Sequence, residues 1–180
     1  MSVRVSTATA GDVVELAAVA AATFPLACPP TSTPENIAAF VAAHLSAERF
    51  AEYVADPDRE VLVARADRSI LGYAMLIRGI GTDPDAARAV TMHPAVELSK
   101  IYVLPDRHGA GVAAAMMNAT VERAATTGAR CIWLGVNQNN QRAQRFYGKH
   151  GFTVAGTKTF AVGAHLENDF VMVRALVDAV

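Results

Sequence analysis

Two glycines in the stretch Tyr102–Ala113 mark a place where the chain could bind an anion. Residues 105–111 predict a tight turn between an apolar strand and a helix. Such a turn directs several unpaired backbone N–H groups and the positive end of the helix dipole at one point. Gly109 and Gly111 have no Cβ and the small Ala113 follows, so backbone amides can approach a phosphate closely. We therefore expect a ligand that carries a diphosphate.

This turn differs from two common nucleotide-binding motifs. The chain lacks Gly-x-x-x-x-Gly-Lys-Ser/Thr, and the turn lacks the third glycine and the acidic partner of a dinucleotide fingerprint. ATP and NAD are therefore disfavoured as ligands. A glycine turn before a helix that binds no ligand stays open as an alternative on this fragment alone.

A second segment downstream favours a ligand. Residues 140–152 read Asn-Gln-Arg-Ala-Gln-Arg-Phe-Tyr-Gly-Lys-His-Gly-Phe. This segment resembles the Asn-x-x-Ala-x-x-Phe-Tyr-x-x-x-Gly-Phe motif of the GCN5-related N-acetyltransferases (GNAT). Residues 108–113 resemble the acetyl-CoA signature of that family, Gln/Arg-x-x-Gly-x-Gly/Ala, with His108 in the first place. The two matches occur in the family's order and at a suitable spacing.

The resemblance implies an acetyl-CoA site. No metal site is expected, because Cys28 and Cys131 are far apart in sequence and give no paired metal-ligand spacing. In this family the diphosphate lies on the turn amides, and the pantetheine arm runs between two splayed strands, here residues 101–103 and 133–136. Backbone groups at an open sheet edge can bond its amides as in strand addition. Asn140 would also bond the pantetheine arm. The implied cofactor-binding residues are Ile101, Tyr102, Val103, His108, Gly109, Ala110, Gly111, Val112, Ala113 and Asn140.

The resemblance also implies a general acid. Tyr147 would donate a proton to the departing CoA thiolate. The alternative is a core aromatic side chain on one helix stripe with Ala143 and Phe146.

The acceptor amine needs a base, because an ammonium has no lone pair to attack a thioester. Glu97 lies in the strand that leads to the turn, eleven residues before His108, where several family members carry a catalytic glutamate. An exposed charge at a strand end is the alternative reading. His93 in the preceding loop is a weaker candidate.

Attack of the amine is expected to be direct, without an acyl-enzyme. Neither Cys28 nor Cys131 has a histidine in a strand-turn-helix elbow that would activate it, and both are interpreted as reduced packing residues. A backbone N–H near Val103 could polarise the thioester carbonyl.

Flanking residues resemble the bacterial PaiA-type branch, which is associated with polyamine N-acetylation. They include residues 97–103, 133–136 and 160–172. Asn137 stands where that branch often has a second tryptophan, and Lys158 where it often has a histidine. Carboxylates that could face a polycation are scattered along the chain: Glu35, Glu48, Glu52, Glu97 and Asp169.

Several acceptors remain open at this point. A polyamine-like or other small amine is the first, and a protein N-terminus or lysine side chain is the second. A regulatory module that binds acetyl-CoA without turnover is a hypothesis of another class, because His108 replaces the usual Gln or Arg.

Hydrophobic periodicity predicts the elements that would position these residues. Expected strands are 3–7, 60–65, 70–78, 96–104, 131–136, 152–156 and 170–176; expected helices are 13–24, 34–44, 47–54, 112–127 and 141–150. Residues 79–94 are interpreted as a loop. This order predicts an α/β (α+β) fold with a mixed, mostly antiparallel central sheet. The resemblance adds helices on both faces and a V-shaped splay between two central strands.

Length and charge limit the class of protein. A chain of 180 residues predicts one domain, residues 1–180. It has 16 Lys and Arg against 17 Asp and Glu, which disfavours a nucleic-acid partner. We find no signal peptide and no apolar run near the ~20 residues that span a bilayer, so we expect a cytoplasmic protein without a membrane partner. A homodimer is left open.

Overall fold

The computed structural model describes residues 2–162 and 164–176. The strands in that part of the chain are β1 (Arg4–Thr7), β2 (Arg59–Ala66), β3 (Ser69–Arg78), β4 (Ala95–Val103), β5 (Cys131–Asn137), β6 (Thr153–Val162) and β7 (His165–Ala175). The α-helices are α1 (Val13–Ala27), α2 (Pro34–His44), α3 (Ala47–Ala55), α4 (Pro84–Ala89), α5 (Val112–Thr126) and α6 (Gln141–Lys149). Short 3-10 helices occupy Ala10–Asp12 and Pro105–Arg107.

The strands form one sheet in the order β1-β2-β3-β4-β5-β7-β6. Strand β4 is parallel to β5, whereas the β1/β2, β5/β7 and β6/β7 pairs are antiparallel. The expectation of a mixed, mostly antiparallel sheet with an α/β composition is confirmed. The chain order and the sheet order differ at the end, because β7 inserts between β5 and β6.

The interpretation of residues 79–94 as a loop is wrong, because α4 lies within them. Asp83 caps this helix, since its carboxylate accepts hydrogen bonds from the amides of Asp85 (2.9 Å) and Ala86 (3.3 Å). Pro84 follows at the first helical position, where a missing N–H costs nothing. Ala86 and Val90 are buried against Trp133 and other apolar residues. Asp83 and Pro84 form a helix start signal, but the helix that follows has only six residues, too few to show an apolar period.

Three further boundaries also differ from the prediction. Strands β6 and β7 form a longer hairpin than expected, reaching Val162 and starting at His165. Most of the residues of β6 are exposed, so the strand shows little of the apolar alternation on which the prediction relied. Helix α1 continues through Pro25 to Ala27.

Contacts divide the chain into two compact units, and the single-domain prediction stays a prediction. The first unit contains Met1–Leu76 and Lys100–Thr120, and the second contains Ile77–Ser99 and Val121–Val180. The first unit is rich in aromatic contacts. The ring centroids of Phe50 and Tyr73 lie 5.5 Å apart, and those of Phe24 and Phe40 stack at 4.5 Å.

The second unit has a core around Trp133. This side chain is buried, and its indole Nε1 donates to the carbonyl oxygen of Gly79 at 3.1 Å. Cys131 lies in the same core, and its thiol donates to the carbonyl of Met92 at 3.2 Å. Cys131 and Cys28 are both free thiols, and burial raises the pKa of each, which suits packing residues.

Within residues 2–162 and 164–176, one helical stretch, Ala10–Ala27, is long and apolar enough by length and composition to cross a membrane. The core helix of a water-soluble protein meets the same criterion. One stripe of this helix is buried within the first unit and comprises Leu16, Val19, Ala20 and Thr23.

Candidate active site

The predicted diphosphate loop lies between β4 and α5 in the first unit. Gly109 and Gly111 have φ angles of +83° and +78°, which side chains with a Cβ rarely adopt. A Cβ at either position would meet no atom within 4 Å, so the space beside the loop is open. The first amides of an α-helix have no carbonyl partner within the helix. The loop and the start of α5 therefore fit an anionic group.

The His108 side chain fastens this loop to the end of β4. Its Nε2 lies 2.9 Å from the carbonyl oxygen of Val103. Because a carbonyl only accepts, the ring donates from Nε2. The amide of Leu104 donates to the carbonyl of Leu71 at 2.8 Å, so this N–H belongs to the sheet. His108 therefore positions the loop through its side chain, and its backbone amide donates to the carbonyl of Pro105 at 3.3 Å. Its predicted ligand contact stays a prediction.

Strand β3 closely approaches β4 beside the predicted pantetheine strand, Ile101–Val103. A Cβ on Gly72 would lie 2.5 Å from the carbonyl oxygen of Tyr102 and 3.1 Å from the Cα of Val103. Only glycine allows this approach. Position 72 therefore sets where the backbone of residues 101–103 lies.

Two tyrosines of the first unit are unsuited to act as bases. The rings of Tyr73 and Tyr102 lie 5.8 Å apart. Burial raises the pKa of Tyr102 to about 12, with a further contribution from Cys28, and burial also raises the pKa of Tyr73. Both phenols therefore stay protonated near neutral pH.

Glu97 is half-buried in β4, in the part of the strand that belongs to the second unit. It is paired with Trp133 of β5, at the end of a ladder that joins Ala95–Glu97 to Cys131–Trp133. Beyond Trp133, β5 continues to Asn137 and stays paired with β7. Glu97 is thus the last residue of β4 in this ladder with β5. This position agrees with the base assignment, which stays a prediction.

His93 lies at the other end of this part of β4. It is exposed, and it lines a cleft of about 390 Å³ together with Arg78 and Ala95. The structure therefore places Glu97, rather than His93, toward the carboxyl end of the strand.

Helix α6 holds the two other predicted site residues, both in the second unit. Asn140 caps the helix, and its Oδ1 accepts from the amide of Ala143 at 3.1 Å. Tyr147 is half-buried, with its ring centroid 5.6 Å from Phe146 and 5.9 Å from Phe152. Packing on two aromatic rings fixes the Tyr147 side chain. The acid role and the pantetheine contact stay predictions.

Sequence reasoning missed Gln144, which shapes the turn before α6. Its side-chain amide donates to the carbonyl oxygens of Asn137 (3.1 Å) and Gln138 (2.8 Å). These bonds hold the end of β5 against the helix that carries Tyr147. The signal was weak, because a glutamine inside a helix is ordinary.

A charged cluster around Lys158 was also missed. The Nζ of Lys158 lies 3.4 Å from Oδ2 of Asp83, and its side chain is only 15% exposed. Asp169 faces Lys158 across the β6/β7 ladder. The carboxylate of Glu167 accepts a hydrogen bond from the side-chain amide of Asn137 at 3.1 Å. Sequence reasoning noted Lys158 and Asp169 separately, whereas Asp83 lay in the segment interpreted as a loop.

The protein shifts the pKa values of the two aspartates in this cluster in opposite directions. Burial opposes ionisation of Asp83, but the amides of Ala86 and Asp85 and the charge of Lys158 outweigh it and lower its pKa. Burial raises the pKa of Asp169; Lys158 opposes this rise and Glu167 adds to it.

Comparison with known proteins agrees with the loop and helix motifs. The family model described as "Acetyltransferase (GNAT) family" matches residues 23–152. The chain belongs to the GNAT acetyltransferase family. Its relatives include an uncharacterized N-acetyltransferase of Mycobacterium tuberculosis strain H37Rv, 60% identical over 166 residues, which span 92% of this chain and 99% of the relative.

Solved structures show that this GNAT chain has the family's fold. The PaiA N-acetyltransferase of Thermoplasma acidophilum, solved with coenzyme A, has a TM-score of 0.76 at 20% identity over 97% of this chain and 99% of that one. The Salmonella typhimurium protein yncA, solved with its cofactor acetyl-CoA, has a TM-score of 0.63 at 18% identity over 99% and 96%. At these identities the likeness concerns the fold of the GNAT chain and leaves its acceptor open.

Proposed function

We propose that this GNAT transfers the acetyl group of acetyl-CoA to a primary amine of a small molecule. The observation that carries the proposal is the loop before α5, where Gly109 and Gly111 leave open space beside the amides of a helix start. Membership in an acetyltransferase family and the relatives solved with coenzyme A or acetyl-CoA support the choice of donor.

Binding of the donor is assigned mainly to backbone groups. The loop of residues 108–113 would hold the diphosphate through backbone amides, although those of His108 and Ala110 already donate to the carbonyls of Pro105 and Arg107 at 3.3 Å. The backbone of Ile101–Val103 would bond the pantetheine amides as an added strand does. Asn140 is the side chain proposed for the pantetheine arm. When bound, acetyl-CoA supplies an acetyl group activated as a thioester.

Proton transfer is assigned to two side chains. Glu97 takes a proton from the acceptor ammonium, directly or through water, which gives the nitrogen its lone pair. As the N–C bond forms and the C–S bond breaks, the Tyr147 hydroxyl donates its proton to the sulfur. The nitrogen loses its second proton through solvent, and a proton from solvent restores the Tyr147 hydroxyl. The proton on Glu97 then returns to solvent. Both cysteines are free thiols that donate hydrogen bonds to backbone carbonyls, so neither is assigned the role of forming an acyl-enzyme.

The acceptor class is the finer part of the proposal. The resemblance to the PaiA-type branch suggests a polyamine, and the PaiA structure from Thermoplasma acidophilum shares this fold. Protein N-termini and lysine side chains are the alternative acceptors, and a non-catalytic acetyl-CoA-binding module is the alternative of another class. A cytoplasmic location belongs to the same proposal.

The reaction is tested by the release of free CoA thiol. Purified protein is incubated with acetyl-CoA and, in turn, monoamines, polyamines and peptides with a free N-terminus or lysine. We expect thiol release above the acceptor-free rate with small primary amines. Tight CoA binding without thiol release for any acceptor would overturn the enzymatic proposal and favour the binding module. Release with peptides alone would reassign the acceptor class.

The loop assignment is tested with a matched pair of glycines. Gly111→Ala places a methyl group in the open space beside the first amides of α5, so we expect the Kd for CoA to rise by at least about tenfold, or ~1.4 kcal/mol. Gly81 has a similar φ of +72° and equally open surroundings outside the loop, so Gly81→Ala carries a comparable backbone strain. Equal losses of CoA affinity in the two variants would refute the loop assignment. Calorimetric titration measures both.

A further inference from the structure

The side chain of Lys158 in the second unit is largely, but not fully, buried. Its side chain is 15% exposed, with Nζ 3.4 Å from the Oδ2 of Asp83. Its Cε lies 3.2 Å from the position that a Cβ on Gly135 would occupy. Lysine is rarely buried unless it is paired, because its charge loses hydration. The missing side chain of Gly135 and the nearby carboxylates therefore provide a cradle for an alkylammonium group.

The strand register places this cradle on the face of the sheet that carries Glu97. Lys158 is opposite Asp169, which is opposite Asn137, and Glu97 is opposite Trp133. Since side chains alternate along a strand, residues 133, 135 and 137 of β5 share one face with their partners. Gly135 lies on the strand next to Glu97, two residues beyond its partner Trp133. The backbones of Glu97 and Gly135 are therefore about 8 Å apart. Glu97 and the cradle are therefore near enough for the two ends of one diamine to reach both.

The surroundings of Lys158 carry more negative than positive charge. Asp83 and Asp169 flank it, and Glu167 lies beside Asn137. Asp85, which is nearby, is paired with Arg88 and accepts from the Thr159 amide. The cluster is thus suited to a cation, and Lys158 supplies one from the chain itself. A cleft of about 440 Å³, lined by Lys158, Gly156 and Asn168, opens beside it.

We propose that Lys158 determines which amines this GNAT accepts. Its ammonium group takes the place of the second ammonium of a short diamine, so the enzyme acetylates monoamines in preference to diamines. This inference rests on the proposed N-acetyltransferase function and favours a monoamine acceptor over the polyamine that the PaiA-type resemblance suggests. Removal of the Lys158 side chain uncovers the carboxylates and the space over Gly135 for an external ammonium.

Activity provides the first test. For the wild type, Lys158→Ala and Lys158→Met, kcat/KM is measured with butylamine and with 1,4-diaminobutane. We expect Lys158→Ala to raise the diamine-to-monoamine ratio at least tenfold. Lys158→Met removes the charge but keeps the bulk, so we expect a smaller change. Lys149→Ala, at an exposed lysine of α6, is the control and keeps the wild-type ratio. A ratio within twofold of wild type in both Lys158 variants would overturn the inference.

Binding provides a readout that needs no turnover. Thermal unfolding is followed with butylammonium chloride and with sodium chloride at equal concentration. Butylammonium can bind the acceptor site of every variant, so we expect it to raise the Tm of Lys158→Ala more than that of the wild type or Lys149→Ala, because only Lys158→Ala has the second cation site open. Equal shifts in all three proteins, or no shift in any, would overturn the inference. Failure of every protein to release CoA thiol with any amine, despite a larger Tm shift in Lys158→Ala, would instead overturn the proposed function and retain the cation site.

Discussion

Glu97 and Tyr147 both lie in the second unit, Glu97 on strand β4 and Tyr147 on helix α6, and different contacts hold each side chain in place. Glu97 is fixed by its register opposite Trp133, so a change of side chain there leaves the strand ladder in place. Tyr147 is fixed by contacts with Phe146 and Phe152, which a phenylalanine would preserve. Conservative substitutions at both positions therefore remove a proton-carrying group and little packing.

We predict that Glu97→Gln lowers kcat/KM mainly at low pH. Below the pKa of the acceptor, which is near 10.4 for a lysine-like amine, the attacking nitrogen must lose a proton, and a general base contributes about a hundredfold. Above that pH the amine is neutral and the loss shrinks. Pre-steady-state or initial rates over the pH range measure it. Glu48→Gln, at an exposed position of α3, should follow the wild-type profile. Parallel profiles for Glu97→Gln and wild type would reassign the base.

We predict that Tyr147→Phe lowers kcat by about a hundredfold, because the departing thiolate loses its proton donor. The KM for acetyl-CoA should change little, since the ring contacts remain. Tyr53→Phe is the control, because it removes a hydroxyl that donates to the His44 carbonyl at 2.8 Å in the first unit. An unchanged kcat in Tyr147→Phe would leave Tyr147 with a packing role.

At the scale of elements, close approaches of backbone place the site. Gly72 lets β3 approach β4 beside Tyr102, and His108 joins the loop to the end of the same strand. The cap of α4 brings Asp83 beside Lys158. Gly72 and Asp83 lie outside the two acetyltransferase motifs, whereas His108 belongs to the acetyl-CoA signature. Residues outside the motifs therefore help to place the site.

We predict that Gly72→Ala destabilises the protein by about 1–3 kcal/mol and lowers its Tm by roughly 2–10 °C, because the added methyl overlaps the Tyr102 carbonyl. The KM for acetyl-CoA should rise, since residues 101–103 must shift. Gly148→Ala is the control: it adds a methyl in open space on α6 and should stabilise the helix by up to about 1 kcal/mol. Calorimetry that finds equal Tm values for the two variants would contradict the prediction.

We predict opposite pH effects for two aspartates. The pKa of Asp83 is lowered on folding, so its contribution to stability is present above its unfolded pKa of about 3.9 and is lost as the pH falls further. Asp83→Asn, which keeps a capping side chain, should therefore lower the Tm at neutral pH and have little effect in strong acid.

Asp169 has the reverse sign. Its pKa is raised on folding, so its carboxylate destabilises the fold at neutral pH, and this cost disappears as the pH falls through the folded-state pKa. Asp169→Asn should raise the Tm near neutral pH and have little effect in acid. The same sign of Tm change for both variants would show that their charges are not the cause.

Local signals predicted most elements but not the charged cluster. Asn140 and the Pro34 and Ser46 regions start helices where capping chemistry indicates. Helix α4 was missed because six residues show too short a period, although Asp83 and Pro84 mark its start. Lys158 meets Asp83 only through the register of β6 and the position of α4, and this tertiary arrangement leaves no mark in local sequence.

At the scale of the whole molecule, charge is nearly balanced. The net charge is −1, with basic and acidic residues spread along the chain. A protein of this kind has little long-range field to attract a polyanion such as CoA. In the proposed function, recognition of the donor therefore depends on short-range contacts with backbone dipoles at the loop before α5. Such contacts are screened less by salt than charges separated by a Debye length.

We predict that the KM for acetyl-CoA changes less than about threefold between low salt and 0.5 M sodium chloride, where the Debye length falls to a few ångströms. Binding through surface lysines and arginines would weaken much more over this range. Steady-state kinetics at several ionic strengths measure the effect. Potassium acetate in place of chloride controls for anion competition, and a steep dependence in both salts would contradict backbone recognition.

The contact between α4 and β6 leaves a pattern that evolution should preserve. A Cβ on Gly156 would lie 2.7 Å from the Cβ of Ala89, beside the irregular register at Val154 and Gly156. Residues 89 and 156 thus share a space that holds one methyl group. Relatives with alanine or a larger residue at 156 should carry glycine at 89 or lack this helix, so this pair identifies which sequences keep Asp83 beside residue 158.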